Sequence, residues 1–442
     1  MTFKADANLA DLVEICMLPA LKENLDQLRL EPEHFGNYRA HLKAHLPILY
    51  DLLQSTEDTW LNGADPAQKQ LRANLVLLLC ELTAVKDILE LEIRDKFVLD
   101  NANKLLNKLS QRLDSDVQAQ IIKYYEEKLH KDCWKRQLGA THGFIRYLEC
   151  QYSASDASMS TNMMTFTLAV GLNVRECYEI LYKELGVRIF LLMLTHNDAT
   201  KLQDLNIHGV IYDDVFRDTY NMDGHTLEGK KAVWNCLCLC LDHFTLMDRF
   251  VWNQCDDMLE RLLHIITLSS GAETSICLLP FITKLCYHFS INRNEIETKL
   301  ADDLTQSEAL TECREVCMAL NSYTSYRWAK SILQMLVLET EKLLQGIEIC
   351  CSMLLEMLRC YLVCILPIPL QVIRMHLHEF FYKFPSSLME SLAVHSFEPR
   401  ITMLVRQFIY TFVFQLKNGS YTNLPDDLQK FLIAFESLKL MN

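Results

Sequence analysis

Apolar residues recur along the chain at steps of three and four. Leu9, Leu12, Val13, Cys16, Leu21, Leu25 and Leu28 open the pattern. Leu71, Leu75, Leu78, Leu82, Val85 and Leu89 continue it. With 3.6 residues per turn, such spacing gathers side chains on one stripe of a helix. Asp65 then Pro66 supplies an N-cap and a proline at the first helical position, which predicts a helix from there to about Leu91. The same periodicity predicts helices near 97–112, 115–131, 134–149, 173–194, 209–219, 227–243, 246–267, 275–289, 305–320, 327–365, 369–383, 399–416 and 425–438. No stretch alternates apolar and polar positions between hairpin turns, as paired strands would. The apolar run Ile409–Phe414 sits inside a longer helical pattern.

The breaks are short. Ser153–Asn162 is the most loop-like, and Asn221–Gly224, Ser269–Thr274 and Lys417–Pro425 are briefer connectors. About sixteen helices with short links predict an all-α fold, a degenerate HEAT/armadillo-like α-solenoid. No repeat signature of about 34, 40 or 47 residues is present, and a compact all-α globule is the alternative. The expected organisation is an N-terminal helical region 1–152, a loop 153–162 and a helical-repeat region 163–442, or else one continuous solenoid.

Composition agrees with this reading. The 12 glycines and 10 prolines make up about 5% of 442 residues, where average usage is about 12%. Folds rich in tight turns need more of both. The net charge of −14 disfavours phosphate backbones as partners. Lys104, Lys108 and Arg112 share one helical stripe, but the acidic residues around them read as a solvated mixed-charge face rather than a nucleic-acid site. The 17 cysteines are odd in number, and Asp6, Asp11 and Glu14 interrupt any signal-peptide core. Reduced thiols in a cytoplasmic, or also nuclear, protein are expected, with Cys80, Cys286, Cys350 and Cys360 buried among apolar residues. Leu354–Ile373 resembles a membrane span, yet Glu356, Arg359, Pro367 and Pro369 make a buried core helix the better reading.

Chemistry-bearing motifs are incomplete. Cys236, Cys240 and His243 share a stripe that Cys238 leaves, three ligands where a structural zinc site takes four. Cys313–Cys317 and Cys360–Cys364 repeat the four-residue step without more ligands. His376-Leu-His378-Glu379 fails the zincin pattern, since Phe380 and Tyr382 stand where a second histidine would follow. Neither a nucleophile elbow nor a phosphate-binding glycine loop occurs. The sequence thus predicts no catalytic residue, cofactor or metal. Trp134 beside Lys131, Lys135 and Arg136 is a candidate interaction surface, as are Trp252 and Trp328 with Arg327, with core packing or cation–π capping of helix ends the favoured alternative for each.

Several segments resemble the Tti-two family. Lys131-Asp132-Cys133-Trp134-Lys135 is similar to its acidic-x-Trp-Lys segment. Leu194-Thr195-His196-Asn197, then Leu205-Asn206-Ile207-His208-Gly209-Val210-Ile211-Tyr212, then the apolar helix Lys231–Asp242 follow the family's order. Leu338–Pro367 and Leu370–Phe384 are similar to its last two long helices. The resemblance spans about residues 120–390. It implies a non-enzymatic scaffold of the Triple-T complex with Tel-two and Tti-one. That complex is a co-chaperone adaptor, working with the heat-shock chaperone and R2TP-type cofactors on new phosphatidylinositol-kinase-related kinases. The alternatives are another helical-repeat adaptor, of cohesin, transport or cytoskeletal type, and an enzyme without a recognisable motif. The apolar surplus from about Leu338 to Phe414 marks the expected partner-binding region, with Leu354, Leu358, Leu362 and Trp134 as interface residues.

Overall fold

The computed structural model describes residues 2–84, 96–110, 113–152, 158–245, 252–269, 271–345, 350–369, 387, 388, 390, 398–418, 426, 429, 430 and 433. Among them every regular element is helical and there is no strand, so the chain is all-α. The chain divides into two compact units, Met1–Arg217 and Asp218–Asn442.

The first unit contains α1 (Thr2–Cys16), α2 (Gly36–Ser55), α3 (Glu57–Asn62), α4 (Pro66–Ala84), α5 (Lys96–Ser110), α6 (Ser115–Lys128), α7 (Leu138–Tyr152), α8 (Thr161–Arg175), α9 (Ile180–His196) and α10 (Ala199–Asp204). It closes with α11 (Ile207–Asp218), whose last residue falls across the division. α4 starts at the proline the sequence marks. Its stretch from Leu71 to Leu82 is buried almost all round, with Leu71, Leu75 to Cys80 and Leu82 in the core, as expected of a central helix. It packs on α1, α5, α6 and α7. α7 packs in turn on α9, and α9 on α8.

The second unit contains α12 (Leu227–Thr245), α13 (Trp252–Leu268), α14 (Ala272–Tyr287), α15 (Arg293–Ala301), α16 (Ser307–Met318), α17 (Tyr323–Gln345), α18 (Cys351–Cys364) and α19 (Pro399–Asn418). α14 is central and touches α12, α13, α17 and α18. α17 bridges α13 and α18, and α18 continues to α16 and α19.

Several boundaries depart from the periodic reading. α1 stops at Cys16 because Pro19 disfavours helical backbone at Leu18. Leu25 keeps its apolar spacing because it is buried from a non-helical segment. α2 and α8 fall where no helix was expected. Ser160, at the end of the loop-like tract, caps α8 by accepting from the Met163 amide at 3.3 Å. The single helix predicted over 327–365 is two, α17 and α18. Both α8 and α9 belong to the first compact unit, whereas the sequence reading assigned them to the region after 153–162. Residues 370–383 of the expected helix 369–383, the His376–Glu379 segment, Arg112, and residues 153–157 of the loop-like tract lie outside the described residues.

Candidate functional site

α7 carries two faces of unlike chemistry. Gly139 and Gly143 form a small-residue stripe against α4. A Cβ on Gly139 would stand 2.9 Å from Glu81 Cδ and Oε2, and one on Gly143 would stand 3.1 Å from Glu81 Cγ. These two glycines let α7 close over a buried carboxyl. Glu81 Oε2 accepts the Leu18 amide at 3.1 Å, and the carboxyl also takes a hydrogen bond from the Tyr124 side chain. Burial pushes the Glu81 carboxyl up to about 7, against the opposing pull of those hydrogen bonds and of Lys128. The carboxyl thus ties the segment after α1 to α4, α6 and α7.

The other face of α7 presents His142, Arg146 and Glu149, spaced i, i+4, i+7. Thr83 from α4, Asn103 from α5 and Arg188 from α9 meet them at a cleft of about 230 Å³. Arg146 is fixed from three sides. It donates to Asn103 Oδ1 at 3.0 Å, to Thr83 Oγ1 at 3.4 Å and to Glu149 Oε2 at 3.2 Å. Arg188 donates to the other Glu149 oxygen, Oε1. One carboxylate therefore joins two guanidiniums. His142 lines the same cleft and is buried, and among the described residues its Nε2 has no hydrogen-bond partner. Burial first, then the charge of Arg188, lowers its pKa to about 3, so the imidazole is neutral at neutral pH. Behind it the ring meets Tyr182 edge-on at 5.7 Å, and Tyr182 meets Trp134 at 5.5 Å.

A second cleft of the first unit, about 240 Å³, contains Lys104 and Lys108 of the basic stripe beside Tyr50 and Trp60. Lys108 is ion-paired with Glu57.

The expected partner-interface residues lie elsewhere than on a surface. Trp134, Leu354, Leu358 and Leu362 are at most 1% exposed. Trp134 sits in a 3₁₀ turn, Trp134–Arg136, and packs on Tyr182 rather than facing solvent. The three leucines lie on the buried part of α18, whose Ser352, Leu355, Glu356 and Arg359 keep some exposure, so they are core in this fold. Among the described residues of the Leu338–Phe414 stretch, the large exposed apolar ones are instead Leu338, Met403 and Tyr410. Trp328 is held by its Nε1 donating to Asp256 at 2.6 Å, and Arg327 pairs with the same carboxylate at 2.5 Å. The side chain of Trp252 lies outside the described residues.

All 17 cysteines are free thiols, and among the described residues no group of His, Cys, Asp and Glu is placed to hold a metal ion. Cys236, Cys238 and Cys240 are completely buried. Cys80, Cys286 and Cys360 are buried as expected, whereas Cys350 is only half-buried, at the N-cap of α18. Among the described residues no helix is long and apolar enough to cross a membrane.

The residues of the α7 cleft carried one signal in sequence, the i, i+4, i+7 spacing of His142, Arg146 and Glu149. The convergence of Thr83, Asn103 and Arg188 on them needs three other helices and has no linear signature. No protein-family model, curated protein or solved structure matches the chain.

Proposed function

We propose that this chain is a non-enzymatic helical-repeat scaffold of HEAT/armadillo type. Further, we propose that it serves as a Tti-two-like subunit of a Triple-T co-chaperone adaptor. In that role it binds Tti-one and Tel-two, and through them the heat-shock chaperone machinery, in the cytoplasm or nucleus. Its task there is to support the folding, stability and assembly of phosphatidylinositol-kinase-related kinases.

One observation carries the scaffold reading. Among the described residues both units are built from helices alone, and the helices of each pack on one another. α1, α4, α7 and α9 form one succession, and α12, α14, α18 and α19 form another, bridged by α13 and α17. Stacked helical repeats bury their apolar faces against their neighbours and leave outer helix faces for partners, and the all-helical packing of both units supports that reading. The Tti-two assignment rests on the resemblance of the segments from Lys131 to Phe384.

Co-expression tests the reading. The full chain expressed with Tti-one is expected to co-elute with it as a stable complex on gel filtration. Elution of the two proteins apart, each folded, would contradict the Tti-two assignment while leaving a scaffold for other partners.

A further inference from the structure

The α7 cleft has the chemistry of an anion site that the chain fills with its own carboxylate. Arg146 is pre-set by Asn103 and Thr83, so its guanidinium keeps its orientation without Glu149. Arg188 approaches from α9, and its side chain is 52% exposed, so it can reorient at little cost. Glu149 is 17% exposed and spans the two. Two guanidiniums face one carboxylate here, an excess of one positive charge among the described cleft groups. A guanidinium offers a planar fork of N–H donors that matches a tetrahedral oxyanion at least as well as a carboxylate. The open volume of about 230 Å³ lies beside this pair. It is far larger than the roughly 10–15 Å³ that one water needs by the same kind of measure, and below the 300–1,000 Å³ typical of drug-sized ligands.

We propose that the cleft between α4, α5, α7 and α9 binds a phosphate group, free or as a monoester, which displaces Glu149 and bridges Arg146 and Arg188. Neutral His142 and the Thr83 hydroxyl line the site and add no competing negative charge. The overall charge of −14 argues against a polyanion as the source. A single compact phosphate carries little of that long-range repulsion. This site is independent of the scaffold reading above.

Titration calorimetry on the full chain, with inorganic phosphate against chloride at matched ionic strength, tests it. The expected result is saturable binding in the range of roughly 1 mM or tighter. Arg188→Gln is expected to weaken it by about tenfold or more, the cost of one charge-assisted contact. Glu149→Gln is expected to tighten it, because it removes the internal competitor while preserving side-chain size. Tighter binding of O-phosphoserine than of inorganic phosphate assigns the source to a phosphorylated side chain, and the reverse to free phosphate. Thermal melts of both variants establish that they are folded. Absence of saturable binding, or folded Arg188→Gln and Glu149→Gln variants that bind phosphate as the wild type does, overturns the site.

Discussion

Gly139 on α7 lies directly against the carboxyl of Glu81 on α4, so close that a Cβ would stand 2.9 Å from both Cδ and Oε2. The glycine has no special backbone angle; it is required by approach alone. Gly139→Ala forces the carboxyl off its hydrogen bond from Leu18, or parts the two helices. Overpacking of this kind costs about 1–3 kcal/mol, which a urea melt of the first unit would register.

Glu81 itself makes stability depend on pH. Its carboxyl titrates near 4.5 when unperturbed and near 7 in the fold. Between those values the folded state holds more proton than the unfolded state, so this group's contribution falls as pH rises from about 4.5 to about 7 and is level above. Glu81→Gln keeps an acceptor for the Leu18 amide and removes the titration. It is expected to be more stable than the wild type at pH 8, by on the order of 3 kcal/mol at most. It is expected to lose that advantage near pH 4.5. Parallel denaturant melts at the two pH values check this.

His142 works in the opposite direction. Its folded pKa of about 3 lies below the ordinary 6.5. Its neutral burial therefore contributes fully above 6.5, and the contribution declines as pH falls from 6.5 towards 3. Arg188→Gln removes one of the two causes, so the histidine's pKa is expected to rise. NMR titration of the ring protons would show the shift, and an unchanged value would remove Arg188 from the account.

Trp134 distinguishes core from interface. It is buried on Tyr182, so Trp134→Ala is expected to destabilise the first unit by about 3–5 kcal/mol. A docking tryptophan would instead leave the melt unchanged. Unchanged stability would return Trp134 to the surface.

Thiol access provides a further test. Cys133 is exposed and Cys150, Cys350 and Cys351 are half-buried, with the other thirteen buried. Burial raises the thiols of Cys150 and Cys351 above their ordinary value. A thiol reagent added to the native chain is expected to label Cys133 quickly, those three slowly, and the rest only in denaturant. Rapid reaction of most thiols would contradict the packed core.

Legibility in sequence followed the physics of each element. α4 was readable because Asp65, Pro66 and an unbroken leucine stripe all point the same way. α8 was not, because its cap residue Ser160 ends a serine-rich tract that looks like loop throughout. The apolar surplus of α18 was legible, and the core-helix reading of it agrees with the burial of Leu354, Leu358 and Leu362. The helix packs on α14, α16, α17 and α19, and its Ser352, Leu355, Glu356 and Arg359 positions keep some exposure. In the candidate cleft, the sequence reading passed over His142, Arg146 and Glu149, although their i, i+4, i+7 spacing stands in the chain. The ion pair to Arg188 depends on α9 crossing α7, which periodicity within one helix cannot encode.

The central claim is that this chain is a scaffold living in complex with other helical-repeat proteins. Affinity capture of the tagged full-length protein from cells, with quantitative mass spectrometry of the eluate, tests it most directly. The account predicts Tti-one and Tel-two at near-equal amounts with the bait, and phosphatidylinositol-kinase-related kinases below them. An eluate with neither protein above the level of an untagged control would contradict it.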